Sequence, residues 1–341
     1  MSTRITRRGL PWPGYGGGVE HAGESRAGSG GVAEIHVVTG KGGAGKSTVS
    51  VALALALAAG GRRVLLADVE GRRPAVAPLG LAGLPEQPEQ IAHADGGGVV
   101  WGCAQPAEAV LEGYLRTNVA SAVAVAAARR FGVTDFATSI APGLKDVLQS
   151  GFVVHEAQSG GWDAVVVDAP PTGRVGRFLD VTRALTDIAT SGPIHRQAQD
   201  TARFLRSEYT QVHLVTLAEQ LPVEETLEAV AELGGMGLRL GHVVVNQVLS
   251  DAVGDAARYA AAHHEAAAAA ASARLGAEVV AGLFDELADV SARSEQERVA
   301  LAALDAGWSG PVVHLPAKTG GVSTEDLYDL VDDLGPLGGQ R

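Results

Sequence analysis

Short runs of β-branched and other apolar residues recur along the chain between longer segments with helical periodicity. Two of these runs, Ala164–Val167 and Val243–Val245, are continuously apolar, as expected for strands buried on both faces of a parallel sheet. Strands that alternate with helices predict an α/β fold with a doubly wound, mostly parallel sheet, whose ligands bind at the carboxyl ends of the strands. The predicted strands are Glu34–Thr39, Arg63–Ala67, Val99–Cys103, Asp163–Asp168, Val212–Thr216, His242–Asn246 and Val312–Leu315.

Several longer segments depart from this alternation. Residues 106–160 and 178–207 have mostly helical patterns and predict a helical subdomain inserted beside the sheet, while residues 251–304 form an alanine-rich helical segment. Residues 1–30 contain prolines and a glycine run without apolar periodicity, which predicts a disordered tail. The expected organisation is a tail followed by one α/β domain over residues 31–335.

The composition narrows the possible functions. The 341 residues carry a net charge of −12, which argues against binding to a nucleic-acid backbone, because such binding needs a basic face. The single cysteine, Cys103, excludes a disulfide framework, a four-cysteine zinc site and a self-contained iron–sulfur site, and it favours a cytoplasmic protein. The longest apolar run, Val49–Ala59, is shorter than the ~20 residues that span a bilayer, so no direct membrane insertion is expected.

A glycine-rich loop follows the first predicted strand and leads into a predicted helix at Val49. Its sequence, Thr-Gly-Lys-Gly-Gly-Ala-Gly-Lys-Ser-Thr over residues 39–48, fits the phosphate-loop pattern G-x-x-x-x-G-K-[ST]. Backbone N–H groups of such a loop converge on the phosphates of a nucleotide, and the helix N-terminus adds its positive dipole end. We therefore predict ATP binding by Gly42, Gly43, Ala44, Gly45, Lys46, Ser47 and Thr48.

Individual side chains of the loop have separate predicted roles. Lys46 is expected to bridge the β- and γ-phosphates catalytically, the Ser47 hydroxyl to coordinate Mg²⁺, and Thr48 to contact the α-phosphate. A further lysine, Lys41, makes the loop K-G-G-x-G-K-S-T. This loop resembles the deviant Walker A motif of the ATPase class that includes the MinD, ParA, nitrogenase iron-protein and ArsA families. The resemblance implies that Lys41 acts catalytically on phosphates bound to a second subunit; a solvent-exposed lysine beside a phosphate is the alternative.

A second motif begins where the predicted strand Asp163–Asp168 ends, and it reads Asp-Ala-Pro-Pro-Thr-Gly-Arg over residues 168–174. A carboxylate at the end of a buried strand beside a phosphate loop is the expected partner of Mg²⁺ through water, which predicts that role for Asp168. The backbone N–H of Gly173 is expected to sense the γ-phosphate. The stretch resembles the D-T-A-P-T-G-H segment of the arsenite-pump ATPase (ArsA) and the tail-anchored-protein targeting ATPases, with Arg174 in place of the histidine.

The same resemblance assigns three further residues. Glu70 lies at the position of the switch I aspartate, where a carboxylate orients or deprotonates the attacking water. Its extra methylene group implies slow hydrolysis, unless Asp68 shares the role; a loop carboxylate without a catalytic role is the alternative. Asn246 ends a strand that resembles the adenine-binding strand, and its amide can pair with the edge of the base. Pro316 follows the last predicted strand, where the family closes over the base.

These matches cover most of residues 32–320 in the correct order, so the chain resembles the ArsA-like ATPase family, in its bacterial branch of anion-transporting ATPases. The resemblance implies a P-loop ATPase domain over residues 31–335 with ATP and Mg²⁺ as ligands. It also implies a homodimer, or a heterodimer with a paralogous ATPase. Nucleotide-driven closure is expected to act on an unidentified client protein or small molecule.

Some features of the resembled families are missing from the sequence. Arsenite needs several thiolates, and Cys103 alone cannot supply them. The sequence has no Cys-x-x-Cys zinc clamp, and its two methionines cannot form a methionine-rich client groove. Two alternatives therefore stay open: a nucleotide-gated scaffold or weakly active half of a heterodimer, and a positioning ATPase of the ParA or MinD type.

Overall fold

A computed structural model of the protein describes residues 31–70, 76–105, 144–159, 161–181, 193–318 and 320–338. The predicted disordered tail, residues 1–30, lies outside the described residues. Residues 106–143 and 182–192, which make up most of the predicted helical subdomain, also lie outside them. The domain boundaries inferred from the sequence therefore stay predictions.

The described strands form one sheet. They are β1 (Glu34–Gly40), β2 (Arg63–Asp68), β3 (Glu89–Ala94), β4 (Gly98–Ala104), β5 (Ala164–Asp168), β6 (Thr210–Leu217), β7 (Leu240–Val248) and β8 (Val312–Pro316). Their order across the sheet is β3-β4-β2-β5-β1-β6-β7-β8, and every neighbouring pair except β3 and β4 is parallel. This topology confirms the predicted α/β fold with a mostly parallel sheet.

Every predicted strand is present, with ends shifted by one or two residues. Strand β3, an edge strand that runs antiparallel to β4, was not predicted from the sequence. Its sequence, Glu-Gln-Ile-Ala-His-Ala, has no fully buried position. An edge strand pairs on one side only and can stay half-exposed, so it lacks the apolar run that marked the central strands.

Helices connect the strands and cover the sheet. The described helices are α1 (Lys46–Ala58), α2 (Leu144–Ser159), α3 (Thr172–Leu179), α4 (Pro193–Leu205), α5 (Gln220–Gly235), α6 (Asp251–Ala262), α7 (His264–Ser272), α8 (Ala277–Gly307) and α9 (Thr324–Gly338). Short 3₁₀ turns occupy Ala77–Leu79 and Asp95–Gly97. The alanine-rich segment predicted over residues 251–304 corresponds to α6, α7 and most of α8.

The sheet separates two apolar layers, because successive residues of a strand point to opposite faces. On β1, Val37 belongs to the layer that contains α2, whereas Val38 belongs to the layer that contains α1. Helix α1 is apolar around most of its circumference because it lies between the sheet and α9, which packs on it through Leu327 and Leu334. Each fully buried leucine of such a layer stabilises the fold by roughly 1.5–3 kcal/mol.

The strand order brings three loops to one edge of the sheet. Strand β5 lies between β1 and β2, and Asp168 at its end is in register with both Val38 and Asp68. The loops that follow β1, β2 and β5 therefore begin side by side. This is the edge at which parallel α/β sheets bind ligands.

Candidate active site

The glycine-rich loop joins β1 to the N-terminus of α1. Gly43 and Gly45 have φ angles of +88° and +91°, a left-handed conformation that residues with a side chain rarely adopt. Gly42 and Gly43 are exposed, and a Cβ at either position would have no described heavy atom within 4 Å beyond its chain neighbours. The loop therefore offers an open cradle at a helix N-terminus, which is an arrangement that binds phosphate groups.

Lys46 begins α1 and is almost fully buried, with 8% of its surface exposed. Its ammonium group donates a hydrogen bond to the backbone carbonyl of Lys41 at 3.2 Å. The adjacent loop residue Ala44 is buried, while Thr48 in the first turn of α1 is half-buried. A buried ammonium group beside a cradle of N–H groups creates a positive potential that a triphosphate would neutralise.

Asp168 ends β5 and is also 8% exposed. Burial raises the pKa of its carboxyl group, while a hydrogen bond from the Ser47 hydroxyl and the charge of Lys46 oppose that rise. The structure thus brings Lys46, Ser47 and Asp168 together. Hydroxyl and carboxylate oxygens are ligands that Mg²⁺ prefers, so this donor set fits the predicted ion, while the roles of the three residues stay predictions.

Lys41 has different surroundings from Lys46. Its side chain is 37% exposed, and its ammonium group forms an ion pair at 2.8 Å with Glu225 on α5. Glu225 was not predicted from the sequence, because a glutamate on an amphipathic helix gives no signal that separates an ion-pair partner from a solvated side chain. In this structure the second lysine of the loop is therefore engaged within its own chain.

Glu70 follows β2 and is bound to the neighbouring loop after β5. Its backbone N–H donates to Asp68 Oδ1 at 2.9 Å, and its carboxylate accepts a hydrogen bond from Arg174 Nη1 at 2.9 Å. Gly173 precedes this arginine in the first turn of α3 and is exposed. The predicted water-orienting carboxylate thus has a cationic partner in the second motif, and this contact was not predicted.

Asn246 is buried and contacts the glycine-rich loop directly. Its amide nitrogen donates to the Ala44 carbonyl at 2.9 Å, and its amide oxygen accepts from the N–H of Gln247 at 3.0 Å. A Cβ on Gly45 would lie 2.2 Å from the Asn246 amide nitrogen, so this contact also requires a glycine there. An amide group has four hydrogen-bonding positions and these contacts use two, so the predicted pairing with adenine stays possible in chemical terms and stays a prediction.

Pro316 ends β8 and lies opposite Val248 of β7, two residues beyond Asn246. A cavity of about 730 Å³, lined in part by Asn246, opens between the N-terminus of α5 and α8. Leu221 and Val299 line it and are about half exposed. The structure therefore places Pro316 beside the strand that carries Asn246, outside the wall of this cavity.

Comparisons with known proteins agree with this geometry. The family model described as the CobQ/CobB/MinD/ParA nucleotide binding domain matches residues 35–281, which include the loop, both carboxylate-bearing motifs and Asn246. The chain belongs to this family. The ATPase BagA of Mycobacterium tuberculosis (strain ATCC 25618 / H37Rv) is 42% identical over 317 residues, which cover 89% of this chain and 93% of that protein. These findings confirm the prediction of an ATPase with a P-loop α/β fold.

A more distant relative is named as the ATPase of an arsenical pump. The arsenical pump-driving ATPase of Acidiphilium multivorum (strain DSM 11245 / JCM 8867 / NBRC 100883 / AIU 301) is 24% identical over 244 residues, which cover 63% of this chain and 39% of that protein. The resemblance to ArsA-like proteins thus extends beyond single motifs. It is weaker than the similarity to BagA.

Other side chains that support the site of this ATPase carried no signal in the sequence. Gln149 on α2 is buried, and its amide nitrogen donates to the carbonyls of Val69 and Gln105, which lie after β2 and β4. On α8, Glu297 accepts hydrogen bonds from the Leu249 N–H and from Arg293. Both glutamine and glutamate are common on helix surfaces, so only the packed structure distinguishes these two from solvated residues.

The part of this ATPase that the structure describes holds no cluster of three or more histidine, cysteine, aspartate or glutamate side chains suited to a metal ion. Within the same residues, no helix is both long enough and apolar enough to cross a bilayer.

Proposed function

We propose that this chain is a Mg²⁺-dependent ATP hydrolase of the ArsA-like branch, which works as a dimer in the cytoplasm. One observation carries the proposal: the two lysines of the phosphate loop have different surroundings. Lys46 is buried in the loop of its own chain, whereas the Lys41 side chain is 37% exposed and bonds to α5. This difference supports separate roles, one toward the nucleotide of the same chain and one toward the nucleotide of a second chain.

Hydrolysis requires a water oxygen to bond to the γ-phosphorus while the bond to the β–γ bridging oxygen breaks. Lys46 and the loop N–H groups would hold the phosphates, and Ser47 with Asp168, the latter through water, would hold Mg²⁺. Bound Mg²⁺ neutralises negative charge on the β- and γ-phosphate oxygens. Glu70 would orient the attacking water and accept its proton. Lys41 of the second chain would stabilise the charge that develops on the γ-phosphate.

We further propose that closure of the dimer is coupled to a client protein or small molecule bound by the predicted helical subdomain. The contacts of Gln149 support this coupling, because this residue of α2 bonds to the backbone immediately before Glu70. A shift of Glu70 on nucleotide binding would therefore act on α2. Arsenite is not proposed as the client, since the single cysteine, Cys103, is buried and no second thiolate exists in the sequence.

A mixing experiment tests the role of Lys41. Phosphate release from ATP is measured for the wild type, Lys41→Ala and Lys46→Ala, and for an equimolar mixture of the two variants. We expect Lys41→Ala to lower turnover by roughly 10³–10⁵-fold, as loss of a cationic finger does. The mixture should recover activity, because a mixed dimer holds one site in which both lysines are intact; random pairing of a symmetric dimer gives about a quarter of wild-type turnover.

The matched control mixes each single variant with the Lys41→Ala/Lys46→Ala double variant, since no such pair forms a complete site. Recovery in the test mixture alone supports action across the dimer. No recovery, or equal turnover of Lys41→Ala and wild type, contradicts it. Turnover that needs a second, co-purifying ATPase would instead indicate a heterodimer.

A second candidate function is a nucleotide-gated scaffold, because Glu70 is one methylene group longer than the aspartate of the resembled family at the position that orients water. Calorimetry separates the two functions. ATP binding without phosphate release, alone or with a co-purifying partner, would support the scaffold. Measurable phosphate release that depends on Lys46 would support the hydrolase.

A further inference from the structure

An ion pair connects the two loops that carry the carboxylates of the site. Glu70 lies in the loop after β2, and Arg174 lies in the first turn of α3, after β5. Arg174 Nη1 donates to Glu70 Oε1 at 2.9 Å. Because β2 and β5 are neighbouring parallel strands, this contact bridges their carboxyl ends directly.

The pair is asymmetric in its exposure to solvent. The Glu70 side chain is 10% exposed, whereas that of Arg174 is 50% exposed. The guanidinium group therefore covers a carboxylate that is otherwise withdrawn from water. A buried carboxylate is costly unless a cation or a hydrogen-bond donor compensates it, so this contact stabilises the observed orientation of Glu70.

Other carboxylates lie near this ion pair. Burial raises the pKa of Asp168, and the charge of Glu70 raises it further, which shows that these two carboxylates interact. Burial also raises the pKa of Asp146 on α2, and the charge of Arg174 opposes that rise most strongly. Without Arg174, Glu70 would face the repulsion of Asp168 with less compensation, which would favour other orientations of its side chain.

We infer that Arg174 is a positioning residue, which holds the Glu70 carboxylate in the orientation needed to activate water for attack on ATP. This inference rests on the proposed hydrolase function. The guanidinium group suits the task because its planar fork of donors fixes the direction of a carboxylate, which the ammonium group of a lysine does less well. Arg174 acts through Glu70 and does not contact the reacting atoms.

A double-mutant cycle tests the inference. It compares the wild type, Glu70→Gln, Arg174→Ala and the Glu70→Gln/Arg174→Ala variant, with kcat and KM from phosphate release and ATP affinity from calorimetry. We expect Arg174→Ala to lower kcat by roughly 10–100-fold, as a misplaced catalytic group does. The affinity for ATP should change less than about twofold, well below the tenfold change that corresponds to about 1.4 kcal/mol of binding free energy. The double variant should be no slower than Glu70→Gln alone, because Arg174 has nothing left to position.

Two further variants complete the experiment. Arg174→Lys should recover part of the lost kcat, because it keeps the charge and loses the planar fork. Arg177→Ala removes the same charge from an exposed position on the same helix and should leave kcat unchanged. Thermal unfolding of every variant identifies any loss of kcat that comes from an unfolded chain.

The outcomes separate this inference from the proposed function. Multiplicative effects of Glu70→Gln and Arg174→Ala on kcat would overturn the inference. A tenfold loss of ATP affinity in Arg174→Ala would also overturn it, because Arg174 would then be a phosphate ligand. If the wild type shows no turnover that depends on Lys46, the proposed hydrolase function itself is contradicted, independently of the double-mutant cycle.

Discussion

The two ends of the central strands bury ionisable groups in different ways. At the carboxyl end, Lys46, Asp168 and Glu70 lie close to groups of opposite charge. Nearer the amino end, His36 on β1 and His213 on β6 are buried, and their nearly parallel rings lie side by side with centroids 5.3 Å apart. One region compensates charge with charge, and in the other a hydrogen bond joins two imidazole rings.

The histidine region has a defined proton arrangement. The backbone N–H of His242 donates to Nδ1 of His213 at 3.1 Å, so a neutral His213 carries its proton on Nε2. That nitrogen lies 3.1 Å from Nδ1 of His36 and donates to it. Burial lowers the pKa of His213 well below its usual range, and the neighbouring His36 and His242 lower it further.

This difference separates buried groups that serve a binding site from buried groups that serve the packing of the core. A buried charge is retained where a ligand of the opposite charge can bind, because the compensation is then part of the function. The buried imidazole row instead lies within a packed layer, where Nδ1 of His36 and both ring nitrogens of His213 are hydrogen-bonded. Substitutions at the carboxyl end should therefore change catalysis, and those near the amino end should change stability.

After the loss expected for Lys41→Ala in the mixing experiment, the largest effect is expected for Lys46→Ala. Removal of the buried ammonium group from the phosphate cradle should lower kcat by about 10²–10³-fold, the usual cost of losing one preorganised electrostatic group. Phosphate release measures this loss. The control is Lys145→Ala on α2, a half-buried lysine outside the loop, and an equal loss in that variant would contradict the assignment of Lys46.

A series of glycine substitutions should separate backbone strain from steric contact in the loop. Gly42→Ala should change the free energy of unfolding little, because this residue has neither a positive φ nor a close neighbour. Gly43→Ala adds a left-handed φ, and Gly45→Ala adds both that strain and the clash with Asn246. We expect losses of about 1–3 kcal/mol for the strained positions, with Gly45 the larger.

Urea unfolding without nucleotide measures the three glycine variants. Equal losses at Gly43 and Gly45 would mean that the Asn246 amide moves aside at no cost. A loss at Gly42 as large as that at Gly45 would contradict the described loop geometry.

The histidine region predicts a dependence of stability on pH. Because the folded-state pKa values of His213 and His242 are lowered, the unfolded chain takes up protons below about pH 6.5 that the folded chain does not bind. Stability contributed by each such histidine is thus present above that pH and is lost as the pH falls. His213→Met should make the acid slope of the free energy of unfolding shallower by up to about 1.4 kcal/mol per pH unit, a limit that is approached well below pH 6.5.

Denaturant unfolding between pH 7.5 and 5.5, roughly centred on the ordinary histidine pKa, checks this slope. The control is His314→Met on β8, where the side chain is exposed. A His213→Met slope equal to that of the wild type would show that the buried row accepts protons without cost. Turnover at neutral pH should be the same in both variants.

The smallest effect is expected for Glu225→Gln. The ion pair with Lys41 is more than a third exposed on both sides, so its loss should change the free energy of unfolding by less than about 1 kcal/mol. Release of Lys41 should raise turnover by at most about fivefold at protein concentrations that limit dimer formation. Phosphate release compared with Glu228→Gln, an exposed control on the same helix, measures this change; a decrease specific to Glu225→Gln would contradict it.

Much of the fold and part of the site were predictable from the sequence. The central strands are continuous apolar runs, and the phosphate loop is a contiguous motif whose glycines, lysine and hydroxyl share one turn, so local chemistry suffices to recognise them. The edge strand β3 was not predictable in this way. The contacts of Lys41 with Glu225 and of Arg174 with Glu70 were also missed, because 184 and 104 residues separate their members along the chain.

The sequence by itself determined the α/β class, the phosphate loop and the carboxylate at the end of β5, because each depends on residues that are neighbours along the chain. Only the tertiary structure decided which distant side chain each of these residues meets. It joined Glu70 to Arg174, Lys41 to Glu225 and Asn246 to Ala44, since those contacts arise from the order of the strands in the sheet. The local sequence pattern determines the helices and strands, and tertiary packing determines which of their residues contact each other.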